Sequence, residues 1–417
     1  LTGNPKVTFF QAVYKRHTNF AMENIEQTVN GSAGNSGRLS VTVARNGDLI
    51  GDMYLEMTTA ALATHSNSAV DACWVAERAV VDIELSIGGQ RIDKHYQKWW
   101  RMYSEVCLDE AKKAQWGKMT SNPTAIGGKV YLPLIFFFNR NPGLYLPLIA
   151  LQYHEVRLDI DLASDYTAYF STNTPKVWGN YVYLDTEERR RFAQKGHEYL
   201  IEQVQHTGTD AVAVGSTKQV RLSYNHPVKE LMWCFNEGGS NAQMWNFCSN
   251  AAANDVVLEC NPDLAITRQA ADTGANLVSF FSTSHVGCPQ VAVGGAAVAN
   301  VSTKSWSEDG LAASGAVGPL SSFKLVLNGQ DRFKEQDGKY FNQVQPYNHH
   351  SGNPYPGVYS YSFALKPEEH QPTGTCNFSR IDNAQVAVTL KAGCDSGTMH
   401  MFATNYNVLR IQSGMGG

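Results

Sequence analysis

The sequence predicts an all-β protein made of two tandem eight-stranded antiparallel jelly-roll domains (a double jelly roll), with short helices in the loops. Two observations lead to this fold class. Apolar and polar residues alternate with a period of two in many short segments, whereas helical periodicity is scarce. Several landmarks also recur in the same order in both halves of the chain, which indicates an internal duplication.

The alternating segments predict half-buried antiparallel strands, with one face towards a core and one towards solvent. In VVDIELSIGG, residues 80–89, every second residue from Val81 to Ile87 is apolar and is expected on the buried face. The same pattern occurs in RLSVTV (38–43), VRLDIDL (156–162), VRLSY (220–224), FKLVLNG (323–329) and QVAVTL (385–390).

Helical patterns are confined to two candidate segments, residues 93–106 and residues 186–194. The second, TEERRRFAQ, is expected to link the two halves, with its arginines solvated or ion-paired. Trp99, Trp100 and Tyr103 in the first segment could form a sugar-stacking platform, because jelly rolls include lectins. At helical spacing, large aromatic residues are more often core or interface anchors, and we favour that interpretation.

The duplication is visible as ordered pairs of landmarks. IEQ occurs at 25–27 and again at 201–203, and RLS occurs at 38–40 and again at 221–223. A strand that ends in a Gly-Gln turn recurs around Gln90 and Gln330, and the wider spacing of this pair implies an insertion in the second copy. The predicted division is an N-terminal arm (1–20), a first jelly roll (21–190), and a second jelly roll (191–417) with a long surface insertion at about 236–320.

Composition limits the classes of function. Charged residues make up only 17% of the 417 residues, against about 25% in typical soluble proteins, which suggests that other subunits cover much of the surface. The net charge of −4 argues against direct nucleic-acid binding, which usually needs a basic excess. No segment has the roughly 18 apolar residues needed to span a bilayer.

The eight cysteines form no CxxC pair, so we expect mostly free thiols rather than a zinc motif or a disulfide scaffold. Cys248, Cys260 and Cys288 lie in the insertion, where a bridge among them stays open.

No catalytic signature is present: GxxxxGK[ST], HExxH and GxSxG are all absent from the sequence. His154 and His197 each precede a glutamate near a strand, and we interpret them as structural. The pair His349–His350 lies in a turn-like stretch, where a metal site is the disfavoured alternative. We therefore predict no catalytic, cofactor-binding or metal-binding residue.

Acidic residues near strands and turns also have structural interpretations. Asp159 and Asp161 could serve a β-sandwich hydrolase, but their alternation on one strand indicates ordinary solvent-facing acids. Asp93 and Asp331 flank the two Gly-Gln turns at similar positions, which favours a turn or inter-module role.

Three tripeptides match the acceptor pattern for N-glycosylation, beginning at Asn30, Asn300 and Asn377. The first and third lie in the duplicated framework and are interpreted as structural. Asn300 lies in the insertion and is the glycosylation candidate, so covalent N-linked glycans are the one non-protein component considered.

Several linked motifs resemble the major capsid proteins of nucleocytoplasmic large DNA viruses, in particular those of the algal, chlorella-infecting members. The resemblance runs almost end to end and weakens only where loops are expected. Its motifs are LTGNPKVTFF…VYKRHTNF, IGGQRIDKHY, LPLIFFFN…PG…LPLIALQYHEV, LVLNGQDRF, GTCNFSRIDNA and NYNVLRIQSGMGG.

The resemblance implies a structural protein and not an enzyme. In that family three chains form a pseudo-hexagonal capsomer, and many capsomers tile an icosahedral shell around a lipid membrane. It therefore implies a homotrimer that contacts neighbouring capsomers and minor capsid proteins in the outer shell of a virion assembled in the host cytoplasm. The inner viral membrane would lie nearby, the N-terminal segment would be an arm at the capsomer base, and the insertion would face outward.

Two alternatives come from other functional classes. One is a carbohydrate-binding, lectin-like β-sandwich protein, and the other is a β-sandwich hydrolase. Both leave the N-terminal and C-terminal motifs unexplained.

Overall fold

The computed structural model describes residues 17–60, 74–120, 128–170, 174–236, 319–354, 357–391 and 397–417, and four short strands between residues 267 and 297. Within these residues, no helix is both long enough and apolar enough to cross a membrane.

The first half forms two antiparallel sheets that pack face to face around a shared core. One sheet has the order β1-β10-β4-β7 with β8 beside β4, and the other has the order β2-β3-β9-β5-β6. The strands are β1 (Phe20–Gln27), β2 (Val29–Gly31), β3 (Arg38–Thr42), β4 (Leu49–Thr58), β5 (Val80–Ile87), β6 (Gln90–Tyr96), β7 (Lys129–Pro133), β8 (Leu146–Pro147), β9 (Val156–Leu162) and β10 (Lys176–Leu184).

The second half forms another pair of antiparallel sheets, of order β11-β24-β13-β21 and β12-β23-β18-β19, with the short strands β20, β22 and β25 added at their sides. The strands are β11 (His197–Val212), β12 (Thr217–Leu222), β13 (Pro227–Asn236), β14 (Thr267–Gln269), β15 (Leu277–Ser279), β16 (Ala292–Val293), β17 (Ala296–Ala297), β18 (Leu320–Leu327), β19 (Gln330–Asp331), β20 (Gln336–Asp337), β21 (Val358–Ser362), β22 (Cys376–Asn377), β23 (Ala384–Leu390), β24 (Gly397–Gln412) and β25 (Met415–Gly416).

Both halves have the same strand order, which confirms the predicted double jelly roll. In each half the first principal strand pairs with the last, as β1 does with β10 and β11 with β24. The sequence landmarks fall at equivalent places in this order: IEQ lies on β1 and on β11, while Gln90 and Gln330 begin β6 and β19. We call the two halves the first and second sandwich.

Short helices occupy the loops, as predicted. They are α1 (Val75–Arg78), α2 (Gln97–Val106), α3 (Glu110–Thr120), α4 (Phe137–Arg140), α5 (Tyr166–Tyr169), α6 (Thr186–Gln194) and α7 (Gln345–His349). A π-helical turn (Tyr340–Val344) precedes α7, and 3-10 turns lie at Pro142–Leu144, Leu148–Ala150 and Phe378–Arg380.

One of the two predicted helices is confirmed, and the other was predicted to begin too early in the sequence. Helix α6 spans residues 186–194, and its Arg189 forms an ion pair with Asp48 at 3.0 Å. The helix predicted for 93–106 begins only at Gln97, because residues 93–96 pair with β5 as the end of β6.

The predicted buried face of β5 is correct except at its first apolar residue. Ile83, Leu85 and Ile87 are fully buried, but Val81 is 45% exposed and Val80 is buried in its place. The register of β5 against β9 shifts between Val80 and Asp82. A bulge of this kind reverses the side-chain alternation locally, which a period-two pattern does not reveal.

Two predicted surface segments lie largely outside the described residues. They are the N-terminal arm, of which only residues 17–20 are described, and the insertion at 236–320. Strand β13 ends at Asn236, where the predicted insertion starts, and strand β18 begins at Leu320, where it ends.

The core of the first sandwich extends into the second. Ile201, Met232, Phe402, Leu409 and Ile411, all on strands of the second sandwich, belong to the same buried cluster as the apolar residues of the first. The two sandwiches therefore share one continuous apolar core.

Candidate functional site at the module junction

The two sandwiches meet where β6, α2 and the residues after α2 contact β11, β13, β24 and the loop after α7; we call this surface the module junction. Aromatic side chains form its centre. The ring centroids of Trp99 and Phe402 are 5.9 Å apart, and those of Tyr96 and His206 are 4.9 Å apart. The interpretation of Trp99 as an interface anchor is therefore confirmed.

Hydrogen bonds from β6 fix the alignment of the sandwiches. The backbone N–H of Val204 donates to Oδ1 of Asp93 at 3.1 Å, and Nε2 of Gln203 donates to the carbonyl of Ile92. His95 holds the other oxygen of Asp93 at 3.0 Å. Of the two roles expected for Asp93, in a turn or between the modules, the structure shows the second. Asp331 instead pairs with Lys324 in its own sheet, at 3.1 Å.

A buried ion triplet also crosses the module junction. Glu202 on β11 lies 3.1 Å from the guanidinium of Arg140 in the first sandwich and 2.8 Å from Nζ of Lys229 in the second. Burial alone would raise the pKa of Glu202, but Arg140 and Lys229 outweigh it and hold the pKa below its usual range. The carboxylate therefore stays charged and joins the sandwiches.

The loop after α7 is seated on the C-terminal end of α2. The N–H of Gly352 donates to the carbonyl of Val106 at 3.0 Å, and the hydroxyl of Ser351 donates to the carbonyl of Cys107 at 3.2 Å. Nζ of Lys113 donates to the carbonyl of Asn353 at 2.7 Å. The first two bonds satisfy carbonyls that the end of a helix leaves without intrahelical partners, and the third ties the loop to α3.

Beneath this loop lies a buried ionic network that joins α2 to α1 and α3. The guanidinium of Arg101 lies 2.9 Å from Glu105 and 3.4 Å from Glu77, and it stacks 3.8 Å from the ring centroid of Trp74. Glu105 also pairs with Lys113 at 3.1 Å. The network holds α2 in the orientation that presents Trp99 to the second sandwich.

At the edge of the module junction, a thiol, an imidazole and two carboxylates converge. Nε2 of His350 lies 3.0 Å from Glu230, and its Nδ1 lies 3.2 Å from Glu368. Donor atoms of Cys107, His350 and Glu368 all lie within 4.8 Å of one another. Cys107 and Glu368 also line an adjoining cleft of about 350 Å³.

Sequence reasoning missed this group because its members lie on separate loops and strands. Cys107 follows α2, Glu230 lies on β13, His350 follows α7, and Glu368 lies beyond β21. Only the His349–His350 pair gave a signal, and its turn-like surroundings favoured the structural interpretation.

The other predicted structural residues have structural partners. His154 contacts Gly416 through Nδ1, and Nε2 of His197 lies 2.8 Å from the carbonyl of Phe192. Asp159 pairs with Arg157 at 3.0 Å, and Asp161 pairs with Arg38 at 3.5 Å.

The remaining thiol and glycan predictions are only partly covered by the described residues. Cys107, Cys234 and Cys376 are free thiols, whereas Cys248, Cys260 and Cys288 lie outside the described residues. Asn300 also lies outside them, so its glycosylation stays a prediction. The side chain of Asn377 caps a 3-10 turn by accepting a hydrogen bond from the N–H of Ser379 at 3.0 Å.

The histidine pair His206 and His400 makes the module junction sensitive to acid. Burial, together with repulsion from Lys98 and His206, lowers the pKa of His400 from 6.5 to about 3. Between pH 6.5 and about pH 3, His400 is protonated in the unfolded chain but not in the folded chain. The free energy of unfolding therefore falls as the pH falls from 6.5 towards 3.

We expect His400→Gln to lose less stability than the wild type on acidification, by roughly 1–3 kcal/mol between about pH 7 and pH 4, after discounting for partial exposure. Urea denaturation at both pH values measures the difference. The exposed His17→Gln is the control and should follow the wild type. Equal acid slopes for His400→Gln and the wild type would contradict the assignment.

Exposed apolar side chains mark candidate contact surfaces on the described residues. Tyr347 on α7 is 88% exposed and Leu365 is 73% exposed, and His349 bonds to the carbonyl of Leu365, which places these two segments side by side. Phe20 and Met22 are exposed on one face of the edge strand β1. Single exposed apolar residues are common on protein surfaces, so the neighbouring pair Tyr347 and Leu365 is the better candidate for a protein–protein contact.

Comparisons with known proteins agree over the whole chain. The family model described as large eukaryotic DNA virus major capsid protein matches residues 188–417, and the model for the major capsid protein N-terminus matches residues 8–185. The major capsid protein of Paramecium bursaria Chlorella virus 1 is 41% identical, with 100% of this chain and 95% of the relative covered. The major capsid protein of Phaeocystis pouchetii virus is 38% identical, with 100% and 96% covered.

Solved structures show the same relationship. The quasi-atomic model of the PBCV-1 virus capsid is 37% identical, with a TM-score of 0.75 and 98% of this chain and 99% of that chain covered. The Faustovirus major capsid protein, at 13% identity and a TM-score of 0.69 over 98% and 93% of the chains, shares the fold. The comparisons do not support the lectin-like alternative. The chain belongs to the family of large eukaryotic DNA virus major capsid proteins.

Proposed function

We propose that three copies of this chain form a pseudo-hexagonal capsomer, and that many capsomers tile the icosahedral outer shell of a large DNA virus. The observation that carries this proposal is the pairing of two sandwiches with the same strand order in one rigid unit. Three such units around a threefold axis give six near-equivalent lobes, which is the arrangement that hexagonal packing needs.

The module junction explains how the two sandwiches of one chain keep a fixed relative position when neighbouring chains contact them. Its shared apolar core, the Glu202 triplet and the loop seated on α2 all resist a hinge motion between the sandwiches. A capsomer whose lobes moved independently would not present a fixed hexagonal outline. The role is therefore mechanical, and the chain acts by burying surface in assembly and not by catalysis.

The proposal also assigns places to the segments outside the described residues. The N-terminal arm would tie the capsomer base to neighbouring capsomers and minor capsid proteins, close to an inner membrane. The insertion at 236–320 would face outward and carry glycan at Asn300. Assembly would take place in the host cytoplasm, without direct binding of nucleic acid.

Native mass spectrometry of the purified chain tests the trimer. The expected species has about three times the chain mass of 45.9 kDa, plus any covalent glycan. A monomer under all solution conditions would overturn the proposed preformed capsomer.

Substitution of exposed apolar residues tests one candidate contact. We expect Tyr347→Ser combined with Leu365→Ser to weaken the trimer by roughly tenfold or more, since truncating an interface hot spot costs about 2 kcal/mol. The control is Lys366→Ser, a charged and exposed position in the same loop. Equal stability of the trimer in both variants would show that this surface is not part of the contact between chains.

A further inference from the structure

We propose that Cys107, His350 and Glu368 form a binding site for a thiophilic divalent cation such as Zn²⁺, which links the two sandwiches across the module junction. Cys107 belongs to the first sandwich, whereas His350 and Glu368 belong to the second. A bound cation would therefore add a coordinate cross-link at the place where the loop after α7 contacts the end of α2.

The donor chemistry fits this class of ion. Thiolate, imidazole and carboxylate are the three protein ligand types that Zn²⁺ accepts, and thiolate disfavours Mg²⁺ and Ca²⁺. With bonds of about 2.0–2.3 Å, the ligand atoms of a tetrahedral zinc site lie roughly 3.3–3.8 Å apart. The donor atoms here lie within 4.8 Å of one another, so small side-chain rotations bring them into range.

Glu230 acts as the orienting residue that such sites require. It lies 3.0 Å from Nε2 of His350, and both side chains are almost completely buried. A carboxylate that accepts from one imidazole nitrogen fixes the tautomer and leaves the other nitrogen free to bind metal. Nδ1 is then the ligand atom, and it already faces Glu368 at 3.2 Å.

Charge and space also favour a cation at this place. The acidic side chains of Glu230 and Glu368 lie 3.0 Å and 3.2 Å from the two ring nitrogens of His350, so two acidic groups flank the proposed site. The adjoining cleft, lined by Cys107, Glu230, Glu368 and His370, leaves a fourth coordination position open to water.

The test uses the full-length, reduced and metal-free protein titrated with Co²⁺, and then with Zn²⁺ in competition. We expect Cys107→Ser to lose about one equivalent of bound Co²⁺ together with its thiolate-to-cobalt charge-transfer absorption. Cys376→Ser, which removes a free thiol elsewhere in the second sandwich, is the matched control and should keep both. Glu230→Gln should weaken Zn²⁺ binding about 10–100-fold while the stoichiometry stays the same.

Circular dichroism of each variant separates loss of the site from loss of the fold. If Cys107→Ser does not fold, Glu368→Gln replaces it, because that side chain is partly exposed. Equal Co²⁺ stoichiometry and absorption in the site variant and Cys376→Ser would overturn the proposal, as would a wild-type chain that binds no Co²⁺ or Zn²⁺. In either case His350 is only a structural cation between two carboxylates.

Discussion

Replacing Arg101 with Met is expected to lower the free energy of unfolding by about 3–5 kcal/mol. Arg101 is fully buried between Glu77 and Glu105, and Met keeps much of its volume while removing its charge. Burial already raises the pKa of Glu77, and Arg101 opposes that shift. Without the guanidinium, Glu105 keeps the Lys113 ammonium at 3.1 Å and Glu77 keeps the indole N–H of Trp116 at 2.7 Å, but the two buried carboxylates lose the cation that lies between them.

The matched control is Arg38→Met, because Arg38 forms an exposed pair with Asp161 at 3.5 Å. Exposed ion pairs contribute about 0–1 kcal/mol, so this variant should unfold almost as the wild type does. Chemical denaturation of the three proteins measures both values. A loss for Arg101→Met no greater than that for Arg38→Met would contradict the role of the buried network.

Gly352→Ala is expected to destabilise the protein by about 1–3 kcal/mol through overpacking at the module junction. A Cβ atom at this position would lie 2.5 Å from the carbonyl oxygens of both Glu105 and Val106. Both are backbone atoms, so the loop itself must move away from α2. That movement breaks the hydrogen bond from the N–H of Gly352 to the carbonyl of Val106. It also lengthens the hydrogen bond from Nζ of Lys113 to the carbonyl of Asn353.

Gly34→Ala is the matched control, since a Cβ atom there meets nothing within 4 Å. We expect a change within about 0.5 kcal/mol for this variant. Thermal unfolding and amide hydrogen exchange at residue 352, whose N–H donates to the carbonyl of Val106, follow the two variants. Normal protection of the residue 352 amide in Gly352→Ala would show that the loop does not contact α2 as described.

Much of the fold was predictable because alternation and duplication are strong local signals. The six alternating segments all coincide with strands, and the paired landmarks fall on equivalent strands of the two sandwiches. The errors arose where tertiary pairing overrode local pattern. Residues 93–96 extend a strand because β5 offers them partners, and Val81 faces solvent because a bulge shifts the register.

The module junction was predictable only in part. The aromatic pattern around Trp99 and the repeated position of Asp93 indicated an interface, and both residues lie in it. The partners of these residues could not be predicted, because Phe402 and Val204 each lie more than 100 positions from them in the sequence and carry no motif. The same holds for Glu202 and for the Cys107, His350 and Glu368 group, which only the folded chain brings together.

Cryo-electron microscopy of the purified assembly tests the central claim, that two rigidly joined sandwiches in each of three chains make one pseudo-hexagonal block. The account predicts a particle with threefold symmetry and six lobes of similar size, with the two lobes of each chain in a constant relative orientation. Particles with two lobes, or particles in which the lobes of one chain vary in their relative orientation, would contradict it.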